Sequence, residues 1–165
     1  MTGSNPTDRG KLGTKRHILT DKNGIPLSAF TTSASTHDVK AVTAVVDNAV
    51  IKRPTPTIST AKNRKTKQHL CLDKAYNSKI VKQEIIKRGY VPHIPYKRKR
   101  GQKKDAICQK KYPSAKNRRW VVERTNSWHN RFRKLYTRYE KKVENYLGLV
   151  QLSCSIIIYR KIVLG

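Results

Sequence analysis

The chain opens with a turn-rich segment that leads into a predicted β-hairpin. Gly, Pro, Asn and Asp are frequent in residues 1–13, and this composition predicts a loop. Residues 15–20 and 25–32 predict two strands. Asn23-Gly24 lies between them, and this pair is typical of tight hairpin turns because both residues tolerate positive φ.

Apolar spacing then changes from a strand period to a helix period. Residues 37–50 carry valines and alanines at helical spacing and predict a helix that Thr36 or Asp38 would cap. Residues 52–67 contain two prolines and many basic side chains, which predicts an exposed, mobile loop.

A strand, a helix and a second strand are predicted next, at residues 68–72, 78–88 and 90–94. Asn77 or Ser78 would cap the helix, and Gly89 would end it.

The rest of the chain predicts two helices. The first covers residues 116–140, with an apolar face made of Val121, Trp128, Phe132, Leu135 and Tyr139. The second, over residues 143–163, is expected to be largely buried. This order of elements predicts one α/β domain over residues 1–165, with helices packed against a sheet.

The charge of the chain points to a polyanionic partner. Its 37 Lys and Arg outnumber 10 Asp and Glu, which gives a formal net charge of +27. Solubility requires only about 2–8 net charges, so a merely solvated basic surface does not account for this excess. The basic residues are spread along the chain and do not form one amphipathic helix, which argues against a membrane-surface protein. Nucleic acid is the expected partner.

The cysteines and the apolar stretches limit the other classes of protein. Cys71, Cys108 and Cys154 are too few and too scattered for a disulfide framework or a zinc site, so they are interpreted as reduced thiols that act as small core hydrophobes. Residues 147–159 are the most apolar stretch, and they are too short to span a bilayer. The sequence therefore predicts no membrane association.

Among ten carboxylates, Asp73 and Glu123 stand out. Asp73 directly follows a predicted strand, at the end of an α/β sheet where ligands collect, although a lone Asp there is more often a helix cap or a turn former. Glu123 lies off the apolar face of its predicted helix, with Arg119 on its own face, and taken alone it would be an ordinary surface ion pair. Together the two residues fit a different chemistry. Enzymes that cut and join nucleic acids hold two divalent cations with carboxylates, and Mg²⁺ requires oxygen ligands.

Three segments of the chain resemble the transposases of bacterial insertion sequences, specifically the Asp-Asp-Glu enzymes of the insertion sequence five group. They are residues 5–13 with the hairpin that follows, residues 70–76 (LCLDKAY), and residues 119–124 (RWVVER) continuing through Trp128, Asn130-Arg131-Phe132 and residues 139–142. They occur in order over nearly the whole chain.

The resemblance implies an RNase H-like mixed sheet flanked by helices. It also implies cleavage of double-stranded DNA at transposon ends with Mg²⁺ or Mn²⁺, followed by transfer of the freed 3′-hydroxyl into target DNA. By position, Asp73 resembles the second catalytic Asp, and Glu123 the catalytic Glu; both would be metal ligands. The residues expected to contact DNA are basic: Arg119, Arg124, Arg131 and the run Lys97, Arg98, Lys99 and Arg100. The resemblance also suggests a bacterial cytoplasmic protein at the nucleoid that acts as a homodimer on DNA. His37-Asp38 resembles a pair that these proteins often carry, and no catalytic role is expected for it.

Two departures from the family pattern affect this prediction. The family's first catalytic Asp lies on a strand upstream of the segment that corresponds to residues 5–13, so the domain is expected to be partial and to lack its first strand. That strand would come from an upstream-frame polypeptide or a fusion, unless the chain is a decayed remnant. Many relatives also place a Lys seven residues after the Glu, where this chain has Asn130.

Other functions remain open on the sequence alone. The main alternative is a non-catalytic basic DNA-binding protein or a transposase remnant, for which metal and the two carboxylates would be irrelevant. A metal-independent enzyme using His37 or Cys71 has no supporting residue spacing.

Overall fold

The computed structural model describes residues 2–5, 9–51, 58–59, 64–65, 68–95 and 119–165. It is a mixed α/β structure compatible with an RNase H-like fold, as the sequence predicts. The residues form two compact units, one of Met1–Ile51 with Trp120–Gly165 and one of Lys52–Arg119. That the whole chain is one domain stays a prediction.

The strands and helices are numbered in chain order. The strands are β1 (Gly3–Ser4), β2 (Leu12–Thr20), β3 (Pro26–Ser33), β4 (Ile58–Ser59), β5 (Arg64–Lys65), β6 (Gln68–Cys71) and β7 (Tyr90–His93). The helices are α1 (Asp38–Asp47), α2 (Lys79–Lys87), α3 (Arg119–Asn130), α4 (Arg133–Tyr136) and α5 (Val143–Ile162), and a short 3₁₀ helix (Lys74–Tyr76) precedes α2. None of the described helices combines the length and the apolar character that crossing a membrane requires.

The first unit is built on the predicted hairpin. β2 and β3 pair antiparallel from Thr14↔Ser33 onward, and β1 lies on the other side of β2 at Leu12 and Gly13. The sequence predicted a loop up to Gly13, and this was wrong at β1 and at the start of β2. Arg9 and Gly10 both adopt positive φ, at 50° and 75°, which turns the chain back so that the first residues can pair with β2.

The predicted α1 forms, but neither predicted residue caps it. His37 is the N-cap residue, and its side chain makes no capping hydrogen bond. Asp38 is already inside the helix, where its carboxylate pairs with Lys15 at 3.0 Å. The carboxylate therefore joins α1 to β2 and does not close the helix end.

The prediction of a single helix over residues 116–140 is wrong, because α3 ends at Asn130 and the one-turn α4 follows. Phe132 between them has an extended backbone (φ −82°, ψ 102°). This break lets Phe132 pack against the main core cluster of the unit, which consists of Leu135, Tyr146, Val150 and Cys154. Tyr139, expected on the apolar face, is 76% exposed.

Helix α5 supplies one face to this core and is not buried all round. Its buried residues are Tyr146, Val150, Ser153, Cys154 and Ile157, and residues beyond Ile157 are partly or fully exposed. Of the three cysteines, Cys154 is buried as expected, and burial raises the pKa of its thiol to about 11. Cys71 is exposed, which contradicts its interpretation as a core hydrophobe, and Cys108 lies outside the described residues.

The second unit contains a parallel strand–helix–strand arrangement. β6 and β7 pair in parallel from Gln68↔Tyr90 to Cys71↔His93, with α2 between them in the sequence. Ser78 caps α2 by accepting a hydrogen bond from the Val81 amide at 3.4 Å, and Gly89 follows its last turn with φ 75°, both as predicted. The buried apolar side chains of the unit are Leu70, Val81, Ile85 and Ile94.

Residues 52–67, which the sequence predicts to be a mobile loop, contain one short antiparallel strand pair, β4 with β5. The prediction that this segment forms no strands was therefore wrong. The other residues of 52–67 lie outside the described residues.

Candidate active site

Glu123 lies on α3 with its side chain exposed. The side chains of α3 that are buried form one stripe at four-residue spacing, namely Val121, Thr125 and His129. Glu123 is two residues from Val121 and from Thr125, which places it roughly opposite the stripe by the 3.6-residue period. The helix thus presents this carboxylate away from the core, as the sequence predicts.

A polar groove of about 480 Å³ runs along β2 in the first unit. It is lined by Thr14, Lys15, Arg16, His17, Asp38 and Asn126. Successive residues of a strand point to opposite faces, so a groove lined by residues 14–17 must follow the edge of the strand. β3 occupies one edge of β2, and the groove therefore follows the other. Asn126 lies three residues after Glu123 on α3, so one helix carries both this carboxylate and a residue that lines the groove.

Arg16 joins this groove to α3. Its Nη2 donates a 2.6 Å hydrogen bond to Oδ1 of Asn130, and its Nη1 is buried without a partner among the described residues. On the opposite face of β2, His17 shares a 2.8 Å hydrogen bond with Thr32 Oγ1. Burial holds the pKa of His17 below its usual value, although Asp38 acts in the opposite direction.

The tip of the hairpin docks directly on α3. Arg124 Nη2 donates to the Asn23 carbonyl at 2.5 Å, and Thr125 Oγ1 donates to the Gly24 carbonyl at 2.7 Å. The Arg124 guanidinium also lies over both tryptophan rings of the helix, 4.8 Å from Trp120 and 5.1 Å from Trp128. The residue after Glu123 is thus engaged inside the protein.

A second polar contact fixes the far end of α3. His129 is fully buried and its Nδ1 lies 2.6 Å from Oγ of Ser153 on α5. Ser153 Oγ also lies 2.7 Å from the Val150 carbonyl, to which it donates, so His129 must donate from Nδ1 to the serine oxygen. Burial, helped by the nearby charge of Arg16, lowers the pKa of His129 to about 4.

Asp73 lies in the second unit, two residues beyond the carboxyl end of β6. Its Oδ1 accepts a 2.5 Å hydrogen bond from the Lys74 amide, and the residue is the N-cap of the 3₁₀ helix. The capping role that the sequence allowed is therefore observed. A strand end is also the position at which a metal ligand was expected.

Two histidines lie side by side on β6 and β7. Nδ1 of His69 is 2.5 Å from Nε2 of His93, and the ring centroids are 4.8 Å apart. Burial, and then the neighbouring His69, lower the pKa of His93. Sequence reasoning missed this pair, because the parallel register that brings the residues together is not visible in local spacing.

The donor chemistry of the two carboxylates fits a divalent cation that prefers oxygen ligands. Among the described residues, no three side chains of His, Cys, Asp or Glu form a group that could hold a metal ion. A complete metal site is therefore not seen within this part of the chain, and the two residues stay predicted ligands.

Comparison with known proteins decides the family. The model of the transposase DDE domain matches residues 2–158. The chain belongs to the DDE transposase family. The transposase for insertion sequence element IS402 of Burkholderia cepacia is 32% identical over 160 residues, which are 96% of this chain and 68% of that protein. No solved structure matches the chain.

Two of the DNA contacts predicted for this transposase, Arg131 and Arg124, have side chains that the structure describes. Arg131 is exposed directly after α3, and Arg124 is engaged with the hairpin turn. Lys97, Arg98, Lys99 and Arg100 lie outside the described residues, as does the side chain of Arg119. Sequence reasoning missed the contacts of Thr125 and His129. The available signal was their four-residue spacing from Val121, which the larger apolar residues nearby obscured.

Proposed function

We propose that this transposase cleaves double-stranded DNA at transposon ends and transfers the freed 3′-hydroxyl into target DNA, in a reaction that depends on Mg²⁺ or Mn²⁺. The observation that carries the proposal is the match to the transposase DDE domain over residues 2–158. It is supported by the exposed carboxylate of Glu123 on α3, the helix whose Asn126 lines a groove with Lys15 and Arg16. Because such a protein works where the DNA is, we place it in the bacterial cytoplasm at the nucleoid.

Asp73 and Glu123 are the proposed metal ligands. One bound divalent cation would activate the attacking oxygen, and a second would stabilise the leaving oxygen at phosphorus. The protein holds the Asp73 carboxylate through the Lys74 amide and carries Glu123 on a helix fixed to the hairpin. The capping contact of Asp73 restricts the rotation of its carboxylate.

Basic side chains are proposed to hold the DNA backbone. Arg131, Arg119 and the run Lys97, Arg98, Lys99 and Arg100 would neutralise phosphates, and each neutralised phosphate makes binding more sensitive to salt. These contacts position the scissile phosphate, and they carry no base information by themselves. A homodimer on DNA would present two such surfaces to two transposon ends.

We further propose that a third carboxylate is supplied by an additional strand paired with β2. Beyond Gly13, no other described strand pairs with β2 on the side opposite β3. The groove follows this edge and lies against residues of both α1 and α3, so a strand placed there would be covered on both faces. An upstream polypeptide or a fusion partner would provide it.

The test is Mn²⁺-dependent nicking of end DNA by the chain alone and by a fusion that adds the upstream strand. We expect activity in the fusion, and we expect Asp73→Asn and Glu123→Gln to abolish it. Both changes keep size and polarity, and Asn is as good a cap as Asp, so folding should be preserved. Salt-dependent DNA binding without nicking in either form would support a non-catalytic DNA-binding protein or a remnant instead.

A further inference from the structure

Two hydrogen bonds from buried side chains join helix α3 to other elements of its unit. Among the side chains of α3 that the structure describes, three are buried and only Val121 of these is apolar; Thr125 and His129 are both fully buried and hydrogen-bonded to other elements. Apolar packing alone tolerates small slides and rotations of a helix, whereas a hydrogen bond requires a narrow range of distance and angle. The rotation of α3, and with it the direction of Glu123, is therefore set by polar contacts.

Arg124, the residue that follows Glu123, also joins α3 to the hairpin turn. Its guanidinium lies over the Trp120 and Trp128 rings, and Nη2 donates to the Asn23 carbonyl in the hairpin turn. Its Nε is buried without a partner among the described residues. The planar group thus has aromatic rings beside it and a backbone carbonyl at one edge, a setting that fixes its orientation.

Gly24 makes this close approach possible. It has φ 85°, and a Cβ at this position would lie 3.0 Å from Thr125 Oγ1 and 3.1 Å from Arg124 Nη2. Any side chain at residue 24 would therefore press on both groups that tie the turn to α3. The hairpin tip and the helix are fitted to each other at these residues.

We propose that Arg124 is a positioning residue for Glu123 and not a ligand of DNA phosphate. By joining the turn at Asn23 to α3, it holds the adjacent Glu123 in the direction required for metal coordination. This inference rests on the proposed metal role of Glu123. Loss of a group that orients a metal ligand typically lowers metal affinity about 10–100-fold.

The first experiment measures DNA affinity against salt concentration for the full chain. Arg124→Met should leave the slope of log K against log salt unchanged, because no phosphate contact is lost. Arg131→Met is the matched control, since this exposed arginine follows the same helix; its slope should fall by about 0.9, the value for one phosphate. A fall of the same size in Arg124→Met would overturn the proposal.

The second experiment observes metal binding without requiring cleavage. The chain has two tryptophans, and both flank Arg124, so the two indole N–H signals in an ¹⁵N NMR spectrum report on this helix. Added Mn²⁺ should broaden them, and Glu123→Gln should remove the broadening at low Mn²⁺. Arg124→Lys keeps the charge and should raise the Mn²⁺ concentration for half-broadening about 10-fold. Gly24→Ala, which alters no charge, should shift it in the same direction.

The outcomes separate the two proposals. If Mn²⁺ broadens the wild-type signals but Arg124→Lys and Gly24→Ala titrate like wild type, the positioning role is refuted and the metal site stands. If Mn²⁺ does not broaden the wild-type signals, the metal role of Glu123 fails, and the positioning role fails with it. Thermal melting identifies any variant that does not fold. Should Arg124→Met be such a variant, the salt series is run on Arg124→Gln.

Discussion

Asn130 at the end of α3 accepts a 2.6 Å hydrogen bond from the guanidinium of Arg16 on β2. This chain resembles a wider superfamily in which many proteins have a lysine at the position of Asn130. Here the residue is a hydrogen-bond acceptor for a cation, so a second cation at this position would face Arg16. Asn130, which departs from the family pattern, is thus hydrogen-bonded to Arg16 on a different element.

Replacing Asn130 by Lys should therefore destabilise the first unit. The change removes the acceptor of Arg16 and places two positive charges together, at a cost of about 1 kcal/mol for this exposed contact. That corresponds to a fall in melting temperature of about 2–4 °C. Asn130→Asp is the control: it keeps an acceptor and adds a charge opposite to that of Arg16, so its melting temperature should equal or exceed that of wild type. Equal stability of the Lys variant and wild type would show that the contact is unimportant.

Burial of His129 predicts that stability falls in mild acid. The unfolded chain binds a proton at His129 near the ordinary pKa of 6.5, whereas the folded chain does so only near pH 4. As the pH falls, the unfolded state is protonated first. The stability that depends on neutral His129 is therefore fully present above about pH 6.5 and is lost progressively toward pH 4. The loss amounts to about 3 kcal/mol in the free energy of unfolding.

The measurement is denaturant unfolding at pH 7.5 and at pH 4.5. His129→Gln cannot titrate and should lose less stability between the two pH values than wild type. Part of the dependence should remain, because burial also lowers the pKa of His17 and of His93. An unchanged pH dependence in His129→Gln would contradict the assignment to this residue.

The sequence predicted the elements whose signals are local. The hairpin around Asn23-Gly24 and the cap of α2 at Ser78 depend on the residues at those positions, and both are found as expected. The break after Asn130 was missed because it depends on the packing of Phe132 against residues of α4 and α5, which no window of sequence contains.

The candidate site likewise has features that the local sequence predicts and features that it does not. Exposure of Glu123 follows from helical periodicity, so it was predictable from its neighbours. The hydrogen bonds of Arg124 and Thr125 to the hairpin turn join residues about 100 positions apart, and only the folded structure reveals them. A basic residue beside the proposed catalytic Glu was interpreted as a DNA contact because its protein partner could not be foreseen.

Neutralising Asp73 should leave DNA affinity unchanged or raise it. Asp73→Asn removes a negative charge from the proposed DNA surface, while the Asn side chain can still accept the hydrogen bond from the Lys74 amide. Affinity for end DNA is measured in EDTA, so that loss of metal does not affect the comparison. Glu123→Gln should likewise leave the affinity for end DNA unchanged or raise it. A large loss of affinity in a well-folded Asp73→Asn protein would show that the carboxylate supports the DNA surface structurally.

The last prediction concerns the basic run Lys97, Arg98, Lys99 and Arg100, which should account for much of the salt dependence of DNA binding. Replacing all four by Gln should reduce the slope of log K against log salt by up to about 3.6, four times the value for one phosphate, for specific and non-specific DNA alike. The matched control replaces the four basic residues at α2 (Lys79, Lys82, Lys87 and Arg88) by Gln. Lys87 and Arg88 already pair with Glu84, each at 2.8 Å, so their charges are partly neutralised within the protein. The control should therefore change the slope much less. Equal reductions in the two variants would mean that DNA responds to the total charge of the chain and that the run is not a specific contact.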